Sequence, residues 1–307
     1  MAFTDTAALN DSIVLAFDQS FIIANAEESI FTEESGIIAY KRDISAKSIG
    51  LPRYDQMALA TTPLAETTDP TPVALSDGER LFTPKEYGNV VTTTKLANLQ
   101  TGGKADVAAA ILVGKNASRT NNRLAILALE ATPNVKNIGD IATGALVAAN
   151  VMTGAHMSLM YNKLARANVP TLSGNVYVAV MHDDVIEDVR SNATSGEWVD
   201  VAKYQDVLSI YKNEVGMFKG FRIIRNNDVT LTADGGAALV DTYKSSFMGF
   251  NGLGLVTSKD TEMVISGPFD KLKRFLNLGW YGVHVYGIVE PTAVWTSESA
   301  SSVGVNV

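Results

Sequence analysis

The chain has 307 residues, no cysteine, 46% hydrophobic residues and a formal net charge of -8. That length accommodates one large domain or two modest ones around a real core. The acidic balance argues against a protein whose work is gripping nucleic acid phosphates. The missing cysteine excludes disulfides, thiolate metal sites and a cysteine nucleophile, and fits a reducing cytoplasm.

The N-terminus, MAFTDTAALNDSIVLAFDQSF, lacks the basic start and continuous apolar run of a signal peptide, so no export is expected. No stretch reaches the roughly 18 to 20 apolar residues that a membrane helix requires. The sequons at Asn116 and Asn192 then carry no meaning. Leu9, Ile13, Phe17, Phe21 and Ala24 recur at helical spacing and predict an amphipathic N-terminal helix.

Residues 47–59, KSIGLPRYDQMAL, read as extended, with Pro52 limiting them to an edge. Their natural partner is 87–96, where Val90, Val91, Thr92, Thr93 and Thr94 are β-branched. Only Val90, Val91 and Leu96 there are bulky and apolar, so this strand has little to bury against its own subunit. Between the two lies ATTPLAETTDPTPVALSDGERLFTP, too rich in Thr and Pro for a helix and too long for a tight turn. A two-stranded hairpin of this kind is marginal alone. Near its tip Leu64, Val73, Leu75, Leu81 and Phe82 alternate with polar residues such as Glu66, a display that marks a contact surface.

After Gly102-Gly103, residues 104–131 predict a helix of about 40 Å, with Val107, Ile111, Leu124, Leu127 and Ala131 on a common face. Gly114 and the polar run Asn116 to Asn122 interrupt it. A mid-helix glycine costs roughly 1 kcal/mol relative to alanine, so Gly114 marks a bend or close packing. Pro133 ends this helix. A second is predicted over 138–168, with Ile141, Ala145, Ala148, Met152, Ala155 and Leu159 at nearly heptad spacing and Pro170 as its stop. The rest reads as α+β: NVYVAVMH as a buried strand, DDVIEDVR as a short helix, GFRIIRNNDV as a strand into a turn. FNGLGLVT, EMVISG and WYGVHVYGIV are further strands, and the Ser-rich tail after Pro291 is extended.

Candidate chemistry is sparse. His182, Asp183, Asp184, Glu187 and Asp188 suggest a hard-metal cluster, but an acidic first helical turn explains them through the macrodipole. His156 and His284 sit in apolar surroundings and read as packed. No G-x-S-x-G elbow is present, and Gly252-Leu253-Gly254 and Gly102-Gly103-Lys104 lack the spacing of nucleotide loops and read as turns. Arg119 and Arg123 form a basic stripe best read as ion pairs or a solvated face. No enzyme, cofactor or metal site is expected.

The order of parts, with ATTPLAETTDPTPVALSDGERLFTPKEYGNVVTTTKLA, YVAVMHDDVIEDVR and YKNEVGMFKGFRIIRNND as its most specific pieces, resembles the major capsid protein of tailed bacteriophages. That resemblance implies the α+β Hong Kong 97-like fold: an N-arm over 1–43, an E-loop β-hairpin over 44–100, a peripheral domain with the spine helix over 101–138 and 261–307, and a mainly axial domain over 139–260. It implies a structural, self-assembling subunit, arranged as pentamers and hexamers in an icosahedral head that encloses double-stranded DNA and touches it non-specifically. Subunit contacts would fall on Leu64, Glu66, Val73, Leu75, Leu81, Phe82, Lys85, Phe17 and Phe21, and Gly114 would be a spine bend. No long helical scaffolding segment precedes the N-arm, so the implied partners are a separate scaffolding protein, a portal and a decoration protein. The implied location is the virion, after assembly in the host cytoplasm and with no membrane. The Lys–Asn cross-link of some relatives is not assigned, although Lys85 lies on the matching hairpin. An encapsulin-like compartment shell is the alternative on the same fold.

Overall fold

Strands and helices follow one another along the chain much as the periodicities suggest, but the one expected strand pairing differs. The computed structural model describes residues 21, 30–31, 37–54, 57–64, 66–67, 69, 71–102, 104–172, 175–193, 199–200, 213–267, 270–272 and 274–303. The strands are β1 (Ile38–Asp43), β2 (Ile49–Tyr54), β3 (Asp77–Phe82), β4 (Lys85–Thr94), β5 (Tyr177–Met181), β6 (Val199–Asp200), β7 (Glu214–Phe218), β8 (Phe221–Arg225), β9 (Leu231–Thr232), β10 (Thr242–Met248), β11 (Leu253–Ser266), β12 (Phe275–Ile288) and β13 (Val294–Ser299). The α-helices are α1 (Lys95–Gln100), α2 (Lys104–Glu130), α3 (Gly154–Arg166) and α4 (Asp183–Ser191). One sheet has the order β1-β11-β12-β4, a second runs β13-β10-β5-β8-β7-β6 with β9 on β10, and β2 and β3 form a ribbon.

Every residue of β5 is buried because both faces of its sheet are covered, which is why its sequence is continuously apolar. Ala179 and Met181 share a core with Met157, Met160 and Leu164 of α3 and Val185 and Val189 of α4. Val178 and Val180 join Ala125, Ile126 and Leu129 of α2 on the other side. Further back, Ala109 and Ala110 of α2 meet Leu278, and Val113 and Ala117 meet Trp280, both on β12. The long helix therefore ties the two sheets together. Among the described residues no helix is long and apolar enough to cross a membrane.

Four expectations change. The buried stripe of α2 is Ala109, Ala110, Val113, Gly114, Ala117, Ser118, Asn122, Ala125, Ile126 and Leu129, whereas Val107, Ile111 and Leu127 are exposed. Small residues let the helix axis approach the sheets closely, so the bulky set is turned outward. Gly114 lies buried in this stripe, within a helix that runs from Lys104 to Glu130.

The second helix begins only at Gly154. Gly139 and Asp140 have φ of 63° and 61°, outside helical space, and Thr153 caps the true start by accepting from the His156 N–H. Next, 87–96 does not pair with 47–59. β2 pairs with β3, and β4 pairs antiparallel with β12 from Lys85↔His284 to Thr94↔Phe275. Finally, FNGLGLVT and EMVISG are one strand, β11, whose register slips between Thr257 and Glu262. Within it Gly254 is a strand residue, paired with Gly287, and not part of a turn; a Cβ there would stand 2.6 Å from Val289 Cγ2.

Candidate assembly surface

The root of the β2–β3 ribbon is anchored by apolar contact. Leu51 and Phe82 pack with Val256 of β11, flanked by Tyr40, Ile49, Val285 and Val289. Gly287 makes this approach feasible, because a Cβ on it would stand 2.4 Å from Phe82 Cε1. Beyond the root, burial stops. Every described residue from Met57 to Leu81 is exposed, with Leu59 at 88% and Leu64 at 76%. Val73, Leu75 and Leu81 share that exposure, and so does Glu66.

The expected contact residues thus divide. Leu64, Glu66, Val73, Leu75 and Leu81 lie on open surface of one projection, and Lys85 is exposed at the start of β4, in the four-stranded sheet. Phe82 and Phe21 are occupied within their own subunit, Phe82 at the ribbon root and Phe21 against Val113, Ala117 and Trp280. The alternation of residues along β3 is the cause for Phe82, which falls on the covered end of the ribbon opposite Ile49. Phe17 lies outside the described residues. Leu59 went unnoticed in the sequence, although it carries the same signal of a bulky apolar residue amid Thr and Pro. A further exposed group, Leu96 and Leu99 of α1 with Leu272, lies where the Lys95 N–H donates to the Arg274 carbonyl at 2.8 Å. Its signal was Leu at i and i+3 in a helix too short to bury either.

The polar clusters are structural. His182 caps α4, accepting at Nδ1 from the Asp184 N–H at 3.2 Å. The Asp184 carboxylate accepts from the Tyr243 hydroxyl at 2.7 Å, and burial together with that carboxylate holds the phenol well above its ordinary range. Asp188, buried, accepts from the Ser302 N–H at 3.1 Å and ties down the end of the described chain. Among the described residues no group of His, Asp or Glu is arranged to hold a metal ion. Arg119 pairs with Asp228 at 2.8 Å, while Arg123 donates to the Asp228 carbonyl at 2.6 Å and to Thr230 Oγ1 at 2.9 Å. The stripe thereby clamps α2 to the turn after β8.

A projecting ribbon, a long helix spanning two sheets and a return strand together define the α+β Hong Kong 97-like fold of head proteins. The chain of the capsid of Ralstonia phage GP4 aligns with 92% of this chain over 92% of its own length, at 11% identity and a TM-score of 0.71. The cyanophage Pam1 capsid aligns with 91% of this chain and 90% of its own, at 13% identity and a TM-score of 0.61. The virus-like particle from Pyrococcus furiosus covers 92% of this chain and 97% of its own, at 11% identity and a TM-score of 0.53. The sequence matches no family model and no curated protein.

Proposed function

We propose that this chain is a major capsid protein: a structural subunit that assembles with copies of itself into the icosahedral shell of a tailed-bacteriophage head. The carrying observation is the ribbon, whose described residues from Met57 to Leu81 are all exposed in a fold shared with phage capsid chains. Such a display of Leu59, Leu64, Val73 and Leu75 is stable in water only as a surface awaiting cover. A neighbouring subunit supplies that cover, and the ribbon lies across it.

In this reading residues 101–138 and 261–307 form the peripheral part with the spine α2, and 139–260 the mainly axial part. Because β4 pairs with β12, the free E-loop is the stretch before Lys85. Pentamers and hexamers, a separate scaffolding protein, a portal, a decoration protein and enclosed double-stranded DNA belong to the same proposal, as do assembly in a host cytoplasm and the absence of an enzymatic role. Electron microscopy of the purified full chain, alone and co-expressed with its neighbouring head genes, tests it. Closed shells or ring-shaped capsomers are expected, and a monomer under every condition overturns it. The likeness to the Pyrococcus particle favours one second reading, an encapsulin-like compartment. Particle content separates the two, since a cargo protein in place of nucleic acid decides for the compartment.

A further inference from the structure

Part of the polar run of α2 is internal. Ser118 and Asn122 are buried at 0% and 3% exposure, at the point where the helix passes from one sheet to the other. Beneath it, β11 loses regular register between Thr257 and Glu262. Thr257 and His284 face each other across β11 and β12, and both are buried. The His284 ring lies between those of Tyr87 and Tyr286, with centroids 5.3 Å and 5.7 Å away.

Asn121 Nδ2 donates to Thr261 Oγ1 at 3.2 Å. A Cβ on Gly282 would stand 3.0 Å from that same oxygen and 3.3 Å from His284 Nδ1, so helix, bulge and imidazole are continuous. In this layer Ser118 Oγ, Asn121 Oδ1, Thr257 Oγ1 and His284 Nε2 are buried without a hydrogen-bond partner among the described residues. Buried polar atoms are ordinarily paired, and a cluster of orphans marks strain or a second state.

The neutral imidazole suits its aromatic neighbours. A proton taken from solvent makes both ring nitrogens donors and adds a charge that the layer does not neutralise locally. Among the described groups, Asp260 on β11 favours the charged ring, and Lys85 is the cross-strand neighbour of His284 on β4. Lys259 is engaged with Glu262 at 2.6 Å and stands over the Tyr281 ring. Tyr87 comes from β4 and Tyr286 from β12 itself, while α2 contributes the uncharged Asn121, bonded to Thr261 of β11. Burial holds His284 below the ordinary histidine range, with Asp260 acting against that shift.

We propose that this layer is an acid-sensitive catch between the spine helix and the four-stranded sheet: it closes over neutral His284, and on protonation the buried charge draws in water, which also reaches the orphaned oxygens of Asn121 and Thr257, and residues 116–122 lift from β12. The catch operates within one subunit and does not depend on the shell reading.

Trp280 is its reporter, since its Nε1 donates to Asn116 Oδ1 at 2.9 Å. In the full chain carrying Trp198→Phe and Trp295→Phe, emission is followed from pH 8 to pH 4.5 beside far-ultraviolet circular dichroism. A reversible one-proton red shift with unchanged helix content is expected. His284→Gln abolishes it, His156→Gln leaves it in place, and Asp260→Asn moves the midpoint to lower pH by removing the carboxylate that favours the cation. A flat response in the parent, an unchanged transition in His284→Gln, or an unmoved midpoint in Asp260→Asn overturns the proposal. The Asp260 variant keeps the test decisive if the His284 variant does not fold.

Discussion

At the residue scale, His156 shows how a helical position becomes a pH liability. It is buried in α3 with Nε2 at 2.8 Å from Ser297 Oγ, and burial lowers its pKa to about 4, partly opposed by a hydrogen bond that the ring donates to the Lys136 backbone carbonyl. The folded-state value lies below the unfolded one, so the unfolded chain binds the proton more readily. Stability is therefore complete above the unfolded value near pH 6.5 and is lost as pH falls towards 4, by at most about 3 kcal/mol. Urea titrations at pH 7 and pH 4.5 check this, and His156→Gln should lose distinctly less than the parent between the two. The sequence placed His156 as a packed residue but did not supply its partner, because Ser297 arrives on β13 from the far end of the chain.

At the element scale, ribbon and root separate cleanly. Replacing residues 57–76 with a short Gly-Ser linker should leave the melting of the remainder nearly unchanged, since loop length enters stability only logarithmically, and assembly should fail. Leu64→Asp should give the same phenotype, a stable subunit that does not assemble. Phe82→Ala should behave oppositely and destabilise the subunit by about 3 to 5 kcal/mol, as large-to-small changes of buried aromatics do. Calorimetry and sedimentation of the three variants together distinguish them, and a destabilised tip deletion would place the ribbon within its own subunit. The spine itself was legible from its helix formers and Pro133. Its inward face was not, because apolar periodicity ranks Val107 and Ile111 above Ala109 and Ala110, whereas close approach to two sheets selects the small residues.

At the scale of the whole molecule, the ribbon and the exposed Leu96, Leu99 and Leu272 leave apolar surface at two separate places on one subunit. Specific interfaces bury roughly 1,200 to 2,000 Å² in total, and several of them per subunit make individually weak contacts collectively durable. Assembled particles should therefore melt above the dissociated subunit fraction of the same preparation, because binding that favours the native state raises apparent stability. Calorimetry of the two fractions checks it, and identical melting would show that the exposed surfaces contribute nothing on assembly. Much of this was local and so readable in the sequence: the α+β order, the long helix, the buried YVAVM strand, the β-prone ribbon and its apolar tip all follow from periodicity, turn residues and composition over short windows. Only the tertiary structure decided which elements meet. β4 looked like the ribbon's second strand because it follows the ribbon closely, yet its partner is β12, brought from far along the chain by backbone pairing that no short window encodes. Phe82 looked displayed until Gly287 let its ring settle at the root, and Asn121 of the polar run of α2 found its partner in Thr261, 140 residues on. Periodicity reports which face of an element is apolar, but the identity of the surface opposite is set by contacts distant in sequence, and those exist only once the chain is folded.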